Sequence, residues 1–169
     1  MKKVLFGLFA LGLTTQMFAQ IIKPEELSEV IVMAKNYKYL NDVNSQEVVS
    51  VPVELLERKV ASYNVKDSEF YQDDYGTYNI TFYIPQGKIL AEYNADGKII
   101  KTVERFTDIN LPLLVKNAIL EKFPKWTITK DIYKVSYSEA MGSNKTYKLK
   151  LENGDETIRV KVDEEGNFL

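Results

Sequence analysis

From Thr77 onward, hydrophobic and polar positions alternate along most of the chain. Tyr78, Ile80, Phe82 and Ile84 alternate with Thr77, Asn79, Thr81 and Tyr83. Ile89, Ala91 and Tyr93 continue the pattern over 88–93. Tyr147, Leu149 and Leu151 repeat it later, as do Ile158, Val160 and Val162. A period of two is the signature of a strand with one buried face. The runs are separated by Pro85-Gln86-Gly87, Asn94-Ala95-Asp96-Gly97, Asn153-Gly154 and Glu165-Gly166. Asp-Gly and Asn-Gly supply the positive-φ geometry of tight hairpins. Further strands are predicted at 98–106 and 126–137. In the second, the apolar parity shifts between Ile132 and Tyr133, which predicts a bulge there. Val30-Ile31-Val32 and the imperfect alternation of Tyr37, Tyr39 and Leu40 predict a strand near 29–40. A short one is predicted at 69–71.

Two segments change to a helical period. After Pro52, Val53, Leu56, Val60 and Tyr63 fall at +3, +4 and +3, on one face. Proline suits a first turn, where its missing N–H costs nothing. Glu54 and Glu57 precede Arg58 and Lys59, as the helix dipole favours. After Leu111-Pro112, a second stripe runs through Leu111, Leu114, Val115, Ala118 and Ile119 and stops at Phe123-Pro124.

The order then stands out as a repeat. Val51-Pro52 matches Leu111-Pro112, and Tyr63 matches Phe123, an offset of 60. The stretch Tyr93 to Ile100 matches Val162 to Leu169, an offset of 69. A longer first strand and hairpin in the second copy absorb the difference. The fold class expected is α+β, a tandem duplication of a helix plus an antiparallel β-meander, with the helices packed on one sheet face. The expected units are 51–106 and 107–169, after an N-terminal leader and strand at 20–50.

Leu111-Pro112, Phe123-Pro124-Lys125-Trp126, Tyr147 to Gly154 and Val160 to Leu169 together resemble the PepSY-like, or β-lactamase-inhibitor-like, secreted proteins of Gram-negative bacteria. The resemblance covers about 51–169 and is best in the second half. It implies tandem helix-plus-sheet units and a protein-binding or protein-inhibiting tendency. It brings no catalytic residues with it. The absence of cysteine sets this chain apart from disulfide-bearing inhibitor members.

The first twenty residues follow a different logic. Lys2 and Lys3 precede an apolar run from Val4 to Leu13, then a more polar stretch ends at Phe18-Ala19-Gln20. That run is too short to span a bilayer, which takes about 20 residues. It has the layout of a secretory signal peptide, residues 1–19, with cleavage expected after Ala19. A secreted or periplasmic product is expected, with no transmembrane segment left after cleavage. Loss of Lys2 and Lys3 takes the net charge from −2 to −4. A mildly acidic chain has no general electrostatic reason to bind nucleic acid.

The chain has no histidine and no cysteine. Ser-His-Asp and Cys-His machinery and histidine zinc sites are therefore excluded. The sequence contains no phosphate-binding glycine loop and no Ser-x-x-Lys. Carboxylate clusters at Asp73-Asp74, Asp155-Glu156 and Asp163-Glu164-Glu165 all fall at predicted turns, where such residues are ordinary. No catalytic residue, cofactor or metal site is assigned. The informative surface is the sheet face that helices do not cover. Asn79, Thr81, Tyr83 and Leu90 form a mixed polar and aromatic part of it. Lys148, Lys150, Arg159 and Lys161 form a basic part. Tyr71 and Tyr75 join Tyr83 as exposed tyrosines suited to an interface. The expected function is a non-catalytic binding module for a protein or an anionic surface polymer of the cell envelope. The alternatives are a small-ligand binder, which needs an apolar cavity, and a carboxylate enzyme, which needs two acids with raised pKa values in a cleft.

Overall fold

The computed structural model of the protein describes residues 33–44 and 51–169. The expected export signal and Val30-Ile31-Val32 lie outside the described residues. Helix α1 is Tyr37–Val43 and α2 is Val51–Ser62. A short 3-10 turn, Val65–Asp67, leads toward strands β1 (Thr77–Ile84), β2 (Gly87–Asn94) and β3 (Ile99–Thr107). Helix α3, Leu113–Lys122, precedes β4 (Thr127–Ser138), β5 (Gly142–Asn153) and β6 (Glu156–Asp163). The strands form one antiparallel sheet in the order β1-β2-β3-β4-β5-β6, each paired with its sequence neighbours. The chain is thus α+β, with a helix and three strands in succession occurring twice within one continuous sheet.

Alternation places one face of every strand inward. Tyr78 faces Tyr93 and Phe82 faces Ile89 across β1 and β2. Phe106, Tyr133, Tyr147 and Val162 form a row across β3 to β6. The Tyr133 and Tyr147 rings stack at 4.8 Å. Helix α2 lies on β1 and β2, and α1 on β4 and β5. Val53, Leu56 and Val60 from α2, Val115 and Ile119 from α3, and Tyr39 and Val43 from α1 join the strands in a single core. Burial of these side chains, at roughly 1.5–3 kcal/mol each, is the main force holding helices to sheet.

Two glycine turns, one between β2 and β3 and one after β6, share their chemistry. Asn94 Oδ1 accepts from the N–H groups of Asp96 and Lys98 at 3.0 and 2.9 Å. Asp163 Oδ1 accepts from those of Glu165 and Asn167 at 3.1 and 2.8 Å. Gly97 and Gly166 follow at φ 77° and 87°.

Five expectations are corrected. The strand near 29–40 is helical where it is described. Asn36, Tyr39, Leu40 and Val43 fall at helical spacing, and all but the half-buried Leu40 are buried. Asn36 then fixes the helix to its neighbours. Its amide donates to Ala61 O at 3.0 Å and to Gly97 O at 3.3 Å, and accepts from Ile99 N–H at 2.8 Å. The strand at 69–71 is a turn, closed by Tyr71 N–H to Ser68 O at 3.0 Å. The Tyr71 ring stacks on Tyr78 at 5.4 Å instead of standing free. The bulge in β4 lies between Ile128 and Lys130, not at Ile132. Ile132 pairs with Lys148 on the outer face, so its apolar character misplaced the parity shift. In α3, Leu114 is exposed, and Leu111 is buried ahead of the helix start.

Candidate functional site

The register of the sheet assembles the uncovered face row by row. Asn79 pairs with Glu92 and then Lys101. Thr81, Leu90, Val103, Ser136 and Asn144 form the next row. Tyr83, Lys88, Arg105, Lys134 and Thr146 form the third. Thr107, Ile132, Lys148 and Lys161 form the fourth. Lys130, Lys150 and Arg159 form the fifth. All eight residues expected on this face are on it. They do not form one cluster: Asn79, Thr81, Tyr83 and Leu90 lie on β1 and β2, and the basic four lie on β5 and β6.

Residues missed by the sequence reading join the two groups. Lys88, Arg105 and Lys134 are consecutive neighbours across β2, β3 and β4. Beside them, Leu90 and Val103 pair directly and remain exposed. Together with Thr81, Ser136, Asn144 and Thr146 they line a shallow depression of about 450 Å³. Its floor is apolar and one side is cationic. The Lys88 ammonium also sits 5.9 Å from the centre of the Tyr83 ring, which is 69% exposed. A second depression, of about 690 Å³, is lined by Lys130, Ile132, Lys148, Lys150, Arg159 and Lys161, with Lys122 and Phe168 at its margin. Lys150 forms an ion pair with Glu152, so part of its charge is spent within the strand. That contact holds the Glu152 carboxyl below the ordinary carboxylate range. Lys148, Arg159 and Lys161 are exposed.

Opposite this face, two acids lie in the core. Glu104, in the middle of β3, is 1% exposed, and Glu57 of α2 is 6% exposed. Glu104 Oε1 accepts hydrogen bonds from Tyr39 Oη and Thr102 Oγ1, both at 2.9 Å. Burial raises the Glu104 carboxyl, partly offset by those two bonds and by the Lys145 charge. Burial and then the charge of Glu104 raise Glu57, with Lys145 opposing. Lys145, itself buried, donates to Asn44 O at 3.2 Å and pairs with Glu164 at 2.9 Å. Glu104 is enclosed in the core, whereas Glu57 also lines a depression of about 510 Å³ with Leu40, Asn44, Glu54 and Arg58. The clusters at Asp73-Asp74, Asp155-Glu156 and Asp163-Glu164-Glu165 lie at turns. Asp163 uses both oxygens on its own turn. Among the described residues, no group of three or more acids is placed to hold a metal ion. None of the described helices is long and apolar enough to cross a membrane.

No family model and no curated protein matches this chain. Among solved structures, a BLIP-like protein from Bacteroides fragilis is similar at 16% identity and a TM-score of 0.32, covering 58% of this chain and 68% of its own. A DUF2874 family protein from Bacteroides ovatus is similar at 14% identity and a TM-score of 0.34, covering 73% of this chain and 86% of its own. At such distances neither likeness bears on what this chain binds.

Lys88 was readable from the alternation of Ile89, Ala91 and Tyr93, whereas the missed residues of β3 had a signal that hydropathy obscures. On β3, Val103 faces outward and is 47% exposed, while Glu104 faces inward. Hydropathy alone places them the other way round. No inward face is assigned to this strand from the sequence, so Lys101 and Arg105 were not placed on the open face.

Proposed function

We propose that the chain is an exported, non-catalytic binding module that docks an acidic protein surface on the open face of its sheet. One observation supports this above the others: the apolar Leu90–Val103 floor lies directly beside the Lys88–Arg105–Lys134 row. A floor of this kind takes an apolar side chain from a partner, and the cations beside it favour carboxylates around that side chain. Lys148, Arg159 and Lys161 extend the positive field and raise the encounter rate. Export rests on the layout of residues 1–19, and the repeat boundaries at 51–106 and 107–169 on the matched helices and turns. The test is affinity capture from the cell envelope, followed by titration of the purified partner with wild type and Arg105→Glu/Lys134→Glu. An acidic partner bound by wild type, weakened at least tenfold in the variant and progressively released by salt, is the expected result. Equal affinity in both forms would move the site off this face.

The basic depression favours a second occupant, an anionic envelope polymer. Polyglutamate and dextran sulfate binding that depends on Lys148, Arg159 and Lys161, but not on Leu90 or Val103, would support it over the protein partner.

A further inference from the structure

We infer that the free edge of β1 pairs with the β1 edge of a second copy of this chain, joining the two sheets into one. The two edges of the sheet differ in kind. Beta-sheet edges expose unpaired N–H and C=O groups, and proteins ordinarily guard them with charges, prolines, bulges or a covering segment. The β6 edge is guarded. It carries Glu156, Arg159, Lys161 and Asp163. The C-terminus also lies along it: Val162 bridges to Phe168, and Leu169 N–H donates to Lys161 O at 2.9 Å.

Among the described residues, none of these protections lies along the β1 backbone; the preceding turn reaches the strand only through the Tyr78 hydroxyl, which donates to Gln72 O and accepts from Gln72 N–H. The strand, Thr-Tyr-Asn-Ile-Thr-Phe-Tyr-Ile, has no charge and no proline. Its pairing with β2 runs through all eight residues without a register shift, so no bulge turns the edge away. Among the described residues, no backbone hydrogen bond from a loop or turn reaches 77–84.

The strand is also complementary to itself. In an antiparallel pair centred on Ile80, Tyr78 meets Phe82 and Asn79 meets Thr81. Centred on Thr81, Ile80 meets Phe82 and Asn79 meets Tyr83. Either register keeps apolar with apolar on the core side and polar with polar or tyrosine on the open side, as a two-fold interface requires. Exposed rings stand ready at the same place. Phe70 and Tyr75 are half exposed, and both lie near Tyr78, at 6.5 and 6.1 Å between ring centres. A second copy added at the edge covers them. The pairing of like with like in both registers is what points to a second copy as the occupant. The inference is independent of the proposed docking face, although a dimer would present that face twice.

Sedimentation velocity of the whole protein over a concentration series tests this. Wild type is expected to show a monomer–dimer equilibrium. Asn79→Lys/Thr81→Lys, which sets lysines of the two copies against each other, should weaken it at least tenfold with an unchanged circular dichroism spectrum. The natural lack of cysteine gives a second measurement that does not depend on that variant folding. Ile80→Cys or Thr81→Cys should form a disulfide-linked dimer under mild oxidation, and whichever reacts faster fixes the register. Thr157→Cys, on β6, should not. A protein that stays monomeric throughout and forms no link through residue 80 or 81 overturns the inference, as does equal linking through residue 157.

Discussion

At the scale of single residues, the sharpest consequence is the pH dependence set by Glu57 and Glu104. Both carboxyls sit above their ordinary pKa in the folded state, chiefly because burial penalises their charge. The folded protein therefore binds protons more tightly than the unfolded chain. Below the ordinary carboxylate pKa both states are protonated and the ionisation penalty is absent. As pH rises above that value stability is lost, by at most about 1.4 kcal/mol per pH unit for each carboxyl, until the folded pKa is passed. Glu57→Gln should accordingly raise stability at pH 8 by about 1–2 kcal/mol and leave it nearly unchanged at pH 4. Urea unfolding at the two pH values measures this. A gain of equal size at both would show that the proton on Glu57 is not the cause. The same residues show where hydropathy is a poor guide. Glu104 is tolerated in the core because Tyr39 and Thr102 donate to it; Thr102 is two residues away on the same strand, but Tyr39 is brought in by α1, which single-sequence patterning does not place beside β3. Val103 is out because its neighbour is in.

At the scale of elements, the strands and their turns were largely legible and the N-terminal helix was not. A strand with one buried face writes its period into the sequence, and Asp-Gly or Asn-Gly marks its end. Helix α1 is only seven residues long and carries two inward aromatic or aliphatic side chains, Tyr39 and Val43. Its β-favouring residues therefore read as strand, and packing against β4 and β5 overrode them. The paired turns give a test of packing against backbone preference. Gly97 and Gly166 have similar positive φ and equivalent hydrogen bonds. A Cβ at residue 97 meets nothing within 4 Å, whereas at 166 it lies 3.0 Å from both Ala118 Cβ and Leu114 O of α3. Gly97→Ala should cost about 1 kcal/mol, from the left-handed backbone alone. Gly166→Ala should cost about 2–3 kcal/mol, because α3 has to give way as well. Thermal unfolding of the two variants separates the contributions. Equal losses would mean that α3 yields freely at that contact.

At the scale of the whole molecule, the fold sorts side chains by face. Nearly every aromatic of the strands is turned toward the helices, while Lys88, Arg105, Lys134, Lys148, Arg159 and Lys161 share the other side. A chain with net charge −2 thus carries a cationic surface, which composition alone conceals. The outer corners of that surface were readable from strand parity. Its centre was readable only on β2, at Lys88 and Leu90; Val103 and Arg105 were not, because on β3 the buried face runs against hydropathy.

The meander has a further consequence, in the order of events as the chain folds. Each strand pairs with its neighbour in sequence, so the sheet closes mostly short loops. Helix α1 is the exception. Tyr39 bonds to Glu104 across 65 residues, and Ser143 and Lys145 bond to Asp42 and Asn44 across 101. Distant contacts of this kind are entropically the most expensive to form early. Docking of α1 should therefore follow the rate-limiting barrier. Tyr39→Phe should speed unfolding and leave the folding rate almost unchanged, a φ-value near zero in a denaturant chevron. A slowed folding limb would instead make α1 part of the nucleus around which the sheet assembles.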